Sequence, residues 1–237
     1  MANLIWQFHY DSNRSYDGVE RKKMTMCSAS TVSSYALKIG ASYMLETNSI
    51  YHKNGVHGGP AIDRFQLFEE KYDIYDYILY LDTDVLISPS YLDIFNAYSN
   101  CIVAGHNVLH SRDEEVLMNG WLKNEVDEVK YRKSYFHGDI ILLSREFRRW
   151  LRNNVDPMIV DEDKGKWWDR DNISMKWPVY DQSLFAYWLT KSPYDLTPLD
   201  PSFYSAPGLI HEGGKKTDQV MERFFNVYKK ISGEWLI

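Results

Sequence analysis

The chain has 237 residues, with 33 Asp and Glu against 27 Lys and Arg, a net charge of -6 and two cysteines, Cys27 and Cys101. That length suits one elaborated domain with a sizeable core; the acidic balance argues against a protein that tracks nucleic-acid phosphates along a basic surface, and two cysteines cannot build a disulfide framework. No apolar run approaches the roughly 18 residues of a membrane span, and the N-terminus lacks the order of a signal peptide, so a cytoplasmic setting in a bacterial or phage-infected cell is expected.

Leu4 to Phe8 predicts a short first strand, and the stretch from His9 to Gly18, rich in Asp, Asn and Ser, a loop at its carboxyl end. Glu20 to Ile39 predicts a helix stopped by Gly40, and Ser42 to Glu46 the next strand. Pro60 suits a first helical turn, with Ile62, Phe65 and Phe68 on one face up to about Tyr72. Tyr77 to Ile87 follows as a strand interrupted by carboxylates. This β-α-β-α-β order with short links implies a mixed, mostly parallel central sheet flanked by helices, an α/β fold. Further on, Tyr91 to Tyr98 predicts a short helix, Cys101 to Gly105 a strand, and His106 to about Asp113 a polar loop. Asp139 to Ser144 predicts a buried strand and Arg145 to Asn154 a helix. Asp181 starts a helix with Leu184, Phe185, Trp188 and Leu189 at helical spacing, and Gln219 to Ile231 closes the chain as a helix. No repeat or linker divides the chain, so one domain over 1–237 is expected.

The stretch Tyr77-Ile78-Leu79-Tyr80-Leu81-Asp82-Thr83-Asp84-Val85-Leu86-Ile87 carries the strongest functional signal. A strand apolar at nearly every position is buried on both faces, and two carboxylates within it must meet cations or sit at the strand's end. In open α/β sheets the crevice beyond the carboxyl ends of the strands is where ligands bind. Hard divalent cations take oxygen ligands and bridge to phosphates, so this D-x-D suggests a metal–diphosphate site. The other two such pairs, Asp161/Asp163 and Asp169/Asp171, lie among Glu162, Lys164, Lys166 and Arg170 and read as a solvated loop.

Several motifs taken in order resemble glycosyltransferase family 8 and its relatives of the glycosyltransferase-A fold. Arg64 in Ala61-Ile62-Asp63-Arg64-Phe65 precedes Tyr80-Leu81-Asp82-Thr83-Asp84, as a basic residue precedes that family's Y-L-D-x-D. Phe136-His137-Gly138-Asp139-Ile140-Ile141-Leu142-Leu143-Ser144 resembles its small residue before an apolar strand, and Tyr180-Asp181-Gln182-Ser183-Leu184 its D-Q helix start. Ile210-His211-Glu212-Gly213-Gly214-Lys215-Lys216 is similar to its late H-x-x-G-x-x-K motif. The likeness spans about Leu4 to Lys216. It departs at His137 and Asp139, where the family usually carries Asn and an apolar residue, and at Thr217, which holds the family's lysine position.

The resemblance implies a retaining, metal-dependent enzyme using a nucleotide sugar, with UDP-sugar the favoured donor. Residues 1–106 would form the nucleotide-binding half and 107–237 the half for donor sugar and acceptor. It makes His211 a third metal ligand beside Asp82 and Asp84, and a set of carboxylates with one imidazole tilts the choice toward Mn2+ over Mg2+. Lys215 or Lys216, with backbone N–H groups of Gly213 and Gly214, would bind the diphosphate, Arg64 a phosphate or ribose, and Tyr10 would stack on the nucleobase. Asp181, Gln182 and Asp139 are the candidates to face the sugar, where a developing oxocarbenium ion needs nearby oxygens.

Duller roles exist for each. His211 suits a hydrogen-bonded loop residue, Asp181 a helix N-cap, Arg64 a solvated helix face, and Trp167, Trp168 and Trp177 loop packing. A nucleotidyltransferase acting on sugar phosphates would carry a Gly-rich basic loop after the first strand, whereas His9 to Gly18 holds one Gly and one Arg. A metal-dependent phosphoesterase would need more His and carboxylate ligands, and a non-catalytic carbohydrate-binding protein would use the eight Trp without turnover. The acceptor hydroxyl, on a glycan, lipid, protein, small molecule or modified nucleobase, is left open, and strong non-specific nucleic-acid binding is not expected.

Overall fold

The computed structural model describes residues 2–9, 19–50, 60–107, 127–154, 181–203, 209–211 and 218–235. It is a mixed α/β protein with mostly parallel sheet strands flanked by helices. The chain forms two compact units interleaved in sequence. One comprises Met1–Asn48, Tyr75–Asn100 and Leu199–Ile237, the other Ser49–Ile74 and Cys101–Pro198. No helix among the described residues is long and apolar enough to cross a membrane.

In the first unit β1 (Asn3–Phe8) is central, paired in parallel with β2 (Ser42–Glu46) on one side and β3 (Tyr77–Leu81) on the other. Leu4, Ile5 and Trp6 are consecutive and all buried, as a strand covered on both faces requires. Helix α1 (Val19–Lys38) makes the crossover that parallel neighbours need. It ends because Gly40 takes φ +70, a left-handed cap that returns N–H groups to the last turn, with Ala41 N donating to Ala36 O at 2.9 Å.

The single strand expected from Tyr77 to Ile87 is broken in two. The chain leaves the parallel sheet after Leu81 and turns through Asp82-Thr83-Asp84, where Val85 N donates to Asp82 O at 3.3 Å. It then enters β4 (Val85–Ile87), antiparallel to β8 (Leu209–His211) in a separate two-stranded sheet. Carboxylates cannot continue a strand buried on both faces, so the polar pair ends it. Leu86 of β4 joins Met24 of α1 and Met221, Phe224 and Ile231 of α6 (Asp218–Trp235) in one apolar cluster. The short helix expected at Tyr91–Tyr98 is α2 (Ile94–Ala97), capped by the Asp93 carboxylate.

In the second unit β5 (Val103–Gly105) lies between β6 (Ile140–Ser144), antiparallel to it, and β7 (Thr197–Pro198), parallel to it. Its helices include α3 (Glu128–Ser134), α4 (Arg145–Asn154) and α5 (Asp181–Lys191). Pro60–Phe68 and Glu70–Tyr72 are two 3-10 helices, where one helix from Pro60 to about Tyr72 was expected. Side chains three apart eclipse in a 3-10 helix, which suits Phe65 and Phe68, whose rings stack with centroids 5.5 Å apart. Phe185 and Trp188 of α5 close on Phe65 at 5.4 and 4.8 Å, and this aromatic cluster sustains a nine-residue run longer than such helices usually reach.

The same unit holds an ionic cluster on α4. Arg148 is 0% exposed and donates to Leu143 O at 2.9 Å and Tyr72 O at 3.2 Å; burial pushes its pKa down to about 10. Asp73 accepts from Arg152 Nη2 at 2.8 Å and Arg149 Nε at 2.9 Å, and the Arg152 hydrogen bond foremost holds its carboxyl down to about 2.

Candidate functional site

The D-x-D turn sits at the carboxyl end of β3 and leaves Asp82, Thr83 and Asp84 each half-buried. Its side-chain and backbone positions are set from below. Tyr80, two residues back, donates its phenol to Asp82 Oδ1 at 2.6 Å, which orients that carboxylate. Gln7, the one polar residue in the run Leu4–Phe8, is fully buried. Its amide nitrogen donates to Asp82 O at 2.9 Å and to Ser28 Oγ at 2.8 Å, while its amide oxygen accepts from Tyr43 OH at 2.8 Å. Ser28, also fully buried, donates onward to Val85 O at 2.6 Å. Thr31, one turn along α1, accepts from Ile87 N at 3.2 Å. Burial of the Tyr43 phenol pushes its pKa up, which keeps it a neutral donor.

The β4–β8 ladder brings His211 to this turn in the backbone. It pairs with Val85, the residue directly after Asp84. Asp82 and Asp84, 129 and 127 positions from His211 in sequence, thus share one strand-turn element with it, although the His211 side chain lies outside the described atoms. Carboxylate oxygens with one imidazole are a donor set suited to Mn2+ or Mg2+, and two carboxylates on one half-buried turn at a strand's carboxyl end, with Asp84 Oδ1 itself buried, fit such an ion. Among the described residues no three His, Cys, Asp or Glu side chains converge as a complete metal cage.

The second unit assembles a different set. Asp139, on the turn just before β6, is 4% exposed, and its Oδ1 lies 2.9 Å from His137 Nδ1. The backbone around this pair is held twice. His137 N donates to His106 O at 2.8 Å, and Arg64 Nη1 donates to Gly138 O at 2.6 Å. Arg64 is 5% exposed, so the structure places it beneath the His137–Asp139 turn. Asp63 beside it accepts from Ser49 Oγ and from Ile50 N, both at 2.7 Å, and fixes the local chain.

Asp181 and Gln182 are the first two residues of α5. Tyr10, Gly213, Gly214, Lys215 and Lys216 lie outside the described residues, as do Trp167, Trp168 and Trp177. Asp82, Asp84 and His211 therefore share one unit, and Arg64, Asp139, Asp181 and Gln182 share the other. Sequence reasoning missed Gln7, Ser28, Tyr43 and Tyr80. A signal for Gln7 existed, since an amide inside an otherwise apolar buried strand needs partners.

No protein-family model matches the chain, and no curated protein matches it in sequence. Solved structures do. The bifunctional glycosyltransferase WbbM, in its apo structure, is similar with a TM-score of 0.52 at 12% identity, over 98% of this chain and 50% of that one. This is a glycosyltransferase fold. A glycosyltransferase involved in glycosylation of the major capsid of PBCV-1 is similar with a TM-score of 0.48 at 12% identity, over 95% of this chain and 100% of that one. A mutant Drosophila β1,4-galactosyltransferase 7, solved with manganese, UDP-Gal and xylobiose, is similar with a TM-score of 0.45 at 13% identity, over 90% and 72% of the two chains. This chain spans half the length of WbbM.

Proposed function

We propose that the protein is a metal-dependent glycosyltransferase that moves a hexosyl or pentosyl group from a UDP-sugar to a hydroxyl acceptor with retention of anomeric configuration. The observation that carries this reading is the D-x-D turn, two carboxylates on a half-buried turn at the carboxyl end of β3 within a glycosyltransferase fold. Retention rests on the family 8 resemblance of the motifs.

Asp82, Asp84 and His211 would hold the ion, whose chemistry when bound is Lewis-acid neutralisation of the diphosphate that leaves as the anomeric C–O bond breaks. Tyr80 orients the Asp82 carboxylate for that task. Lys215 or Lys216, with the N–H groups of Gly213 and Gly214, would bind the same diphosphate, and Tyr10 would stack on the base. Asp139, Asp181 and Gln182 would supply the donors and acceptors that fix sugar hydroxyls. Arg64 holds the Asp139 turn through Gly138 O, a role that serves the sugar pocket as well as a phosphate contact would. In a front-face substitution the leaving diphosphate takes the acceptor's proton, so no separate base is required of the chain.

The test is release of free UDP from UDP-sugars in the presence of Mn2+. Turnover should cease with a chelator, and Asp84→Asn should lose Mn2+-dependent UDP binding by more than the ~10–100-fold that outer-shell changes at metal sites cost. Release of pyrophosphate from a nucleoside triphosphate and sugar phosphate, with no UDP formed, would instead make the protein a nucleotidyltransferase. Binding of sugar without any turnover would make it a carbohydrate-binding protein.

A further inference from the structure

We infer that Gln7 and Ser28 form a positioning clamp for the D-x-D turn, setting the spacing of its two carboxylates for a divalent cation. The inference rests on the metal-dependent reading above. The turn begins at Asp82 and ends at Val85, and the carbonyl oxygens of those two residues are the points at which its backbone is gripped. Gln7 Nε2 donates to the first at 2.9 Å and Ser28 Oγ to the second at 2.6 Å. The two grips are joined to each other, since Gln7 Nε2 also donates to Ser28 Oγ at 2.8 Å.

The polarity of this chain of bonds allows one arrangement. A carbonyl accepts only, so the amide must turn its NH2 toward Asp82 O. Both N–H bonds are then in use, and the amide oxygen is placed to accept from Tyr43 OH at 2.8 Å. Ser28 accepts once and donates once, so its hydroxyl proton is directed at Val85 O. Gln7 and Ser28 are both 0% exposed, so water cannot replace a missing partner there. The clamp thereby ties β1, α1 and β2 to one turn. What it fixes is the main chain of Asp82 itself and of the residue after Asp84, which bracket the two carboxylates. Partners that fix the ligands of a metal site without touching the ion commonly change its affinity by about 10–100-fold.

A purely structural role would satisfy the same buried carbonyls and leave the cation indifferent, and measurement separates the two. Mn2+ affinity is measured by calorimetric titration of the full chain with UDP present, beside thermal melting of each variant without metal. Ser28→Ala and Gln7→Met are expected to weaken Mn2+ binding about 10–100-fold and to raise KM for UDP-sugar more than they lower kcat. Tyr43→Phe, which removes only the anchor of the Gln7 amide oxygen, is expected to show the same changes at smaller size. Variants that melt earlier yet bind Mn2+ as the wild type does would overturn the clamp. Should Gln7→Met fail to fold, Ser28→Ala and Tyr43→Phe decide, and wild-type Mn2+ affinity in Ser28→Ala refutes the proposal. Asp84→Asn is the control: intact Mn2+ affinity there sinks the metal reading and the clamp with it, whereas loss in Asp84→Asn beside intact affinity in Ser28→Ala sinks the clamp alone.

Discussion

Two carboxylate turns, one in each unit, are built on opposite chemistry. Asp73 is clasped by the guanidinium groups of Arg149 and Arg152, and its charge serves the fold. The Asp82 carboxylate receives a neutral phenol from Tyr80, and its turn is held through backbone carbonyls by an amide and a hydroxyl. A guanidinium fork neutralises a carboxylate, while neutral donors orient it without cancelling its charge. The contrast predicts that disturbing the first region changes stability and acid resistance, and that disturbing the second changes cation binding.

The largest effect belongs to the buried member of the ionic cluster. Arg148→Ala empties a fully buried site and strips the donors from Leu143 O and Tyr72 O, so a loss of about 3–5 kcal/mol in urea unfolding is expected. Mn2+ affinity of the folded fraction should be unchanged. If cation binding falls as far as stability does, the division of labour between the two regions is wrong.

Asp73 sharpens the comparison through pH. Its carboxyl is held at about 2 against an ordinary 3.8, so the stability it contributes is present above about pH 4 and is lost as pH falls toward 2. Arg149 and Arg152 are 53% and 31% exposed at the side chain, and solvent screening reduces the contribution to about 1–2 kcal/mol. Unfolding midpoints of wild type and Asp73→Asn should therefore differ at pH 5 and converge near pH 2. A gap that persists undiminished at pH 2 would mean that the ion pairs are not its source.

The contrast also marks where sequence reading stops. Ser42–Glu46 and Arg145–Asn154 were legible to the residue, because local features bound them: Gly40 at φ +70 closes the preceding helix, and the Ser144 hydroxyl accepts from Phe147 N where α4 begins. The end of a buried strand at Asp82 and Asp84 was legible as a conflict between charge and burial. The departure of Val85–Ile87 into a second sheet was not, since its partner Leu209–His211 lies more than a hundred residues away and alternation within Tyr77–Ile87 carries no trace of it. Helix α3 was missed because Glu128–Ser134 has few apolar positions from which to read a period. The clamp was hidden for the same reason as β8: Gln7 meets Ser28 and Asp82 at separations of 21 and 75 residues.

The smallest expected effect tests whether a neutral donor matters to the carboxylate it orients. Tyr80→Phe keeps the buried ring, which lies 5.8 Å from the Trp6 ring, and removes only the hydroxyl that donates to Asp82 Oδ1 at 2.6 Å. Stability should change by no more than about 1 kcal/mol, because one hydrogen bond is lost on a half-buried turn. Two influences on the cation then oppose each other. Without the phenol's hydrogen bond the Oδ1 lone pairs are freer to meet a cation, but the carboxylate also gains freedom to rotate away from the site. Orientation should win, since ligand geometry must be met within a few tenths of an ångström, and Mn2+ affinity should fall by no more than about tenfold. Tighter binding in the Phe variant would show instead that charge decides at this turn, and that Tyr80 tempers Asp82 in the manner in which Arg149 and Arg152 temper Asp73.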